Sequence, residues 1–113
     1  ERDRTAMKYQ LVLQFQGDDE DTLDKVTALE DQLIELLEGS TLAEIDGHEE
    51  GDGYVYVNIE TKNPSKVWEK IEPLVEAAAS DDLEISAVAF RERGAEDYTV
   101  LWPADFEGEF EVV

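Results

Sequence analysis

The chain has no cysteine, one histidine and three prolines, and only nine basic residues against thirty acids in 113 positions. Without cysteine there is neither a disulfide framework nor thiolate chemistry, so the core must hold by packing alone. Nucleic-acid binding begins with cations on phosphates, and five lysines and four arginines scattered among acids form no basic stripe. The expectation is therefore no nucleic-acid partner. No run approaches the roughly 20 apolar residues that cross a bilayer. The start Glu1-Arg2-Asp3-Arg4 lacks the apolar stretch of a signal peptide. A cytoplasmic protein with no membrane partner is expected.

What is abundant is acid. The formal charge of -21 repels anionic surfaces and attracts a basic protein, a cationic ligand or a divalent metal. A salt-rich cellular setting would favour the same surface with no partner at all. The hydrophobic share of 42% argues against wholesale disorder, and the length suits one core. Residues 1–6 are set aside as a tail, because Met7-Lys8 looks like a start and regular patterning begins just after it.

Tyr9, Leu11, Leu13 and Phe15 alternate with Gln10, Gln14 and Gln16, which predicts a strand buried on one face, with Val12 as the exception. The acids Asp18 to Asp21 open a helix, where the dipole favours negative charge. Leu23, Val26, Leu29, Leu33, Leu36 and Leu37 give its apolar stripe and Gly39 its end. Leu42 to Asp46 is a weaker strand, followed by a hairpin loop over Gly47 to Gly53. Val55, Val57 and Ile59 against Tyr54, Tyr56, Asn58 and Glu60 predict the next strand. Asn63 and Pro64 cap and open a second helix with Val67, Trp68, Ile71, Leu74, Val75 and Ala78 inward, and with Pro73 expected to bend it. Leu83, Ile85, Ala87 and Ala89 share one face of a fourth strand, with Val88 and Phe90 on its reverse. Tyr98 to Trp102 is a short strand before an alternating tail.

Two helices can cover one face of a four-stranded antiparallel sheet. The expected fold is α+β: a ferredoxin-like α/β plait, βαββαβ, over residues 7–113 as one domain, with a short C-terminal β extension. Its open face would be neutral, polar and aromatic, displaying Tyr54 and Tyr56, and free to pair with a second copy in a homodimer or to be covered by the C-terminal residues.

Several residues are candidates for chemistry. His48 stands in a stretch, Glu44 to Asp52, with five carboxylates in nine residues. Imidazole with carboxylates suits zinc or manganese, but the spacing fits no named metal motif, and a solvated acidic hairpin explains the same residues. His48 could also act as a general base. Arg91 and Arg93 could form an anion clamp beside an aromatic wall of Tyr98 and Trp102; the plainer account makes them salt-bridge partners with both rings in the core. No serine sits in a nucleophile elbow and no glycine-rich phosphate loop is present, so no catalytic residue and no cofactor are implied.

The stretches Met7-Lys8-Tyr9-Gln10-Leu11-Val12-Leu13-Gln14-Phe15, Asp46-Gly47-His48 and Asp97-Tyr98-Thr99-Val100-Leu101-Trp102-Pro103 resemble those of a group of small uncharacterised bacterial single-domain proteins. The resemblance implies a bacterial origin and a plait-like domain. It carries no activity or ligand, but it raises the expectation that the Asp46–His48 turn and the Tyr98–Pro103 strand converge on one site.

Three functions follow. The preferred one is a non-catalytic binding module, immunity-like or regulatory, that engages a basic protein through Asp24, Glu30, Asp31, Glu35 and Glu38 of the first helix. The second is a small enzyme or metal-dependent ligand binder built on Asp46, His48, Tyr98 and Trp102. The third is a structural plait whose acidity reflects its milieu.

Overall fold

The computed structural model describes residues 8–17, 19–38, 43–51, 53–79, 83, 85–95 and 97–102. The expected tail 1–6, the helix end at Gly39 and the extension over 103–113 lie outside the described residues. Strand β1, Tyr9–Gln16, leads into helix α1, Glu20–Leu37; strands β2, Ala43–Gly51, and β3, Tyr54–Thr61, precede helix α2, Pro64–Ala79; β4, Ile85–Glu92, and β5, Thr99–Trp102, complete the chain order. The strands form one sheet in the order β2-β3-β1-β4-β5, and every pairing is antiparallel. The fold is α+β, with both helices on one face of the sheet and β5 added outside β4.

Local chemistry sets the ends of the helices. The Asp19 carboxylate accepts the Thr22 amide at 2.9 Å and caps α1, and hydrogen bonding from Thr22 holds the Asp19 carboxyl below its usual range. Gly17, at φ 108°, makes the turn into this cap; a Cβ there would stand 2.7 Å from the Thr22 hydroxyl. Asn63 caps α2 by accepting the Lys66 amide at 3.1 Å, and Pro64 is the first helical residue. The helix continues through Pro73 to Ala79.

The main core lies between sheet and helices. Leu11, Leu13 and Phe15 of β1 and Val55, Val57 and Ile59 of β3 meet Val26, Leu29, Leu33 and Leu37 of α1 and Val67, Ile71 and Val75 of α2, all buried. One expectation for α1 needs correction: Leu36 is 37% exposed rather than part of the stripe.

Two register shifts change what points where. In β4 the pairing with β1 steps from Gln14↔Ala87 to Phe15↔Ile85 and so skips Ser86. Side chains alternate only while the register holds. Ile85 therefore packs with Val88 and Phe90 against the helices, while Ala87 and Ala89 face the other way, contrary to the alternation expected from Leu83 to Ala89. In β2 the pairing steps from Ile45↔Ile59 to Gly47↔Asn58 and skips Asp46. Gly47, at φ 124°, accommodates this shift, and the strand continues to Gly51 where a loop was expected. The glycines of that segment mark a bulge and a turn around Gly53, not a seven-residue loop.

Candidate functional site

The sheet has two edges and a face opposite the helices, and the expected site residues are divided among them. At the β2 edge, the shift at Asp46 places His48 opposite Val57, on the helix side. There its Nδ1 lies 2.8 Å from Oε1 of Glu30, a residue of α1 that is only 8% exposed. Glu30 thus leaves the docking set proposed for the first helix, because it is buried against β2 and paired. Its position was legible: Val26, Glu30, Leu33 and Leu37 follow the four-three-four spacing of the apolar stripe, so an acid stood where a hydrophobe was due. Such a pair fixes the imidazole ring in orientation. Asp46, on the exposed side of the bulge, does not join it, and no group of three or more His, Asp or Glu among the described residues could hold a metal ion.

The face opposite the helices carries a second apolar cluster of Val12, Tyr56, Ala87 and Ala89, with Tyr54, Tyr98 and Val100 packed beside it. Tyr56 is 1% exposed. The sequence left this face to a second copy or to the C-terminal residues; within the single chain its central side chains Val12, Tyr56, Ala87 and Ala89 are already buried. Tyr54 and Tyr56 remain on this face as expected, with ring centroids 6.2 Å apart.

Beside the cluster a row of polar side chains crosses four strands. Asn58 donates to Glu49 at 3.4 Å, Gln10 donates to Asn58 at 2.9 Å, and Arg91 Nε donates to Gln10 at 2.9 Å. Arg91 also donates to the Ala95 carbonyl at 3.1 Å and lies over the Tyr98 ring at 5.0 Å. Burial pushes the Tyr98 phenol up, Arg91 offsets part of this, and Glu49 adds to it. Arg93 lies 3.7 Å from Glu60. Both arginines of the expected anion clamp are thus engaged, Arg93 in the salt bridge of the plainer account and Arg91 with neutral partners and a ring. A row so fully paired stiffens the face.

At the far edge, Trp102 pairs with Val88 and lies on the helix side, away from Tyr98. The aromatic wall of Tyr98 with Trp102 does not form. Nor do the Asp46–His48 and Tyr98–Trp102 segments converge, since β2 and β5 are opposite edges four strand spacings apart, roughly 19 Å. The second reading's constellation of Asp46, His48, Tyr98 and Trp102 is thereby broken up.

The remaining candidates lie on α1. Asp24, Asp31 and Glu35 are exposed on α1, where hundred-degree steps bring them into one narrow stripe, and the exposed Glu38 follows as its C-cap at the end of that stripe. Among the described residues no lysine or arginine pairs with them; the one ion pair on the outside of α1 joins Lys25 to Asp21 at 3.2 Å.

No family model and no curated protein matches the chain. Among solved structures it is similar to a de novo designed protein with a ferredoxin fold, determined by solution NMR, at TM-score 0.52 and 14% identity over 95% of this chain and 96% of that one. The likeness is one of fold alone. It agrees with the α+β sheet-and-helix layering expected from the sequence. No helix among the described residues is long and apolar enough to cross a membrane.

Proposed function

We propose that this chain is a non-catalytic binding module that engages a basic protein partner through the outer stripe of α1. The observation that carries the reading is the set Asp24, Asp31, Glu35 and Glu38, four exposed carboxylates on one stripe without a cation among the described residues, on a chain of net charge -21. Such a surface raises the rate of encounter with a basic partner and repels acidic ones. An immunity-like role, in which an acidic domain occludes the basic site of a nuclease, is one concrete form; regulation of another basic protein is a second. A cytoplasmic setting and a bacterial source belong to the same proposal. The βαββαβ plait with its β extension is the fold on which we place it.

The test compares the protein with a variant carrying Asp24→Asn, Asp31→Asn, Glu35→Gln and Glu38→Gln in a low-salt capture eluted by a salt gradient. The expected outcome is a basic protein retained by the native chain, released as salt rises, and lost from the variant. Equal retention by both chains, or elution insensitive to salt, contradicts the reading.

A second reading rests on the 2.8 Å His48–Glu30 pair, which orients the imidazole and leaves Nε2 without a hydrogen bond among the described residues. On this reading His48 takes up a metal or small ligand. Metal uptake that survives His48→Ala ends it.

A further inference from the structure

We propose that the groove between α2 and the end of β5 is a pocket for an arginine side chain of the basic partner. This rests on the binding reading above and supplies a specific contact for it. Trp68, Glu72 and Glu76 succeed one another at four-residue intervals and so share one flank of α2. Facing them are Ile85 at the start of β4 and Trp102 at the end of β5, with Val75 at the base, around a cavity of about 300 Å³. The chain has two tryptophans, and both line this one groove.

Three features select the occupant. Trp102 is 36% exposed, the one large aromatic side chain among the described residues that stands at the surface. Two indoles with aliphatic Val75 and Ile85 favour a flat, weakly hydrated group with an apolar stem. Glu72 and Glu76, which pair with no cation among the described residues, require that group to be positive. A guanidinium meets all three conditions: it stacks on indole, its donors form a fork that matches carboxylates, and its stem is aliphatic. An ammonium is more strongly hydrated and offers no plane to stack. Anions are excluded by the two carboxylates and by the charge of the whole chain. The groove and the α1 stripe both lie on the helical side of the sheet, so one partner lying across the helices reaches both.

The test is a titration of the full chain with Nα-acetyl-arginine amide, followed by the indole N–H resonances, which report on Trp68 and Trp102 and on nothing else. Citrulline amide is the neutral isostere and lysine amide the rival cation. Saturable shifts of both indoles with arginine are expected, with affinity at least tenfold weaker for citrulline and for the Glu72→Gln, Glu76→Gln double variant, whose isosteric changes on the groove wall leave the fold intact. No saturable shift, equal binding of citrulline, or unchanged affinity in the double variant overturns the pocket; lysine binding as tightly as arginine overturns its assignment to guanidinium. The two proposals fail separately. Arginine uptake with no partner captured through α1 keeps the pocket and ends the module reading, whereas partner capture that is unaffected by the groove variant, without arginine uptake, does the reverse.

Discussion

The two edges of the sheet treat the same residue type in opposite ways. At the β2 edge, Glu30 of α1 is buried and bound to His48 across 2.8 Å. At the β5 edge, Glu72 and Glu76 of α2 line an open groove beside two tryptophans and pair with no cation among the described residues. A buried carboxylate must be partnered or it destabilises the fold, and a pair at that edge serves structure. Carboxylates at a surface groove cost little and remain available. In a chain with thirty acids, neither position in the sequence nor residue type separates the two roles. Burial and pairing do.

The sharpest way to break this contrast is to remove the partner at the buried edge. His48→Ala strands the Glu30 carboxylate and is expected to destabilise the fold by about 1–3 kcal/mol, read by urea unfolding. Glu30→Gln, which keeps an acceptor for the imidazole, should cost less than this. A loss no larger than that of an exposed alanine substitution would show that the pair does not hold α1 to β2. The same measurement at the other edge should have the opposite sign. Replacing Glu72 and Glu76 by Gln relieves a like-charge pair one helical turn apart and should stabilise by about 0.2–0.5 kcal/mol.

Between the edges, the face opposite the helices offers a smaller test through pH. The Tyr98 phenol, raised by burial, should titrate above its usual value near 10 when followed by absorbance, and Arg91→Met should raise it further by removing the cation that offsets burial. Its folded value is above its unfolded one. The stability it contributes is thus fully present below the unfolded value and is lost as pH rises through the folded value. A normal titration in the native chain would mean that the ring is not held in the second cluster. A small effect is also expected at Arg93, whose pairing with Glu60 at 3.7 Å is partly solvated; Arg93→Ala should change stability by less than about 1 kcal/mol.

Periodicity in the sequence carried β1, β3 and both helices, because Leu11, Leu13 and Phe15, or Val67, Ile71 and Val75, report their burial through spacing alone. It failed where the register shifts. Gly47 and Gly51 read as loop residues although Gly47 keeps β2 running by relieving a bulge, and the skip at Ser86 reverses Ala87 and Ala89 with no mark in the alternation. The Glu30–His48 pair did leave a trace, the acid within an apolar stripe, but its partner lies 18 residues away and only the fold brings it there. Trp68 and Trp102 meet in one groove for the same reason. The polar row from Glu49 to Arg91 draws on four strands, so no local pattern announces it.

The most direct test of the central claim, that unpaired acids on the helical side bind a basic protein while the paired acid serves the fold, is one binding measurement on three chains. The partner isolated by salt elution is titrated into the native protein, the four-substitution α1 variant and Glu30→Gln at two salt concentrations. The account predicts affinity at least tenfold weaker for the α1 variant, a shallower salt dependence for it, and native affinity for Glu30→Gln. Equal affinity of the native and α1-variant chains, or loss of binding on changing Glu30 alone in a folded protein, would contradict it.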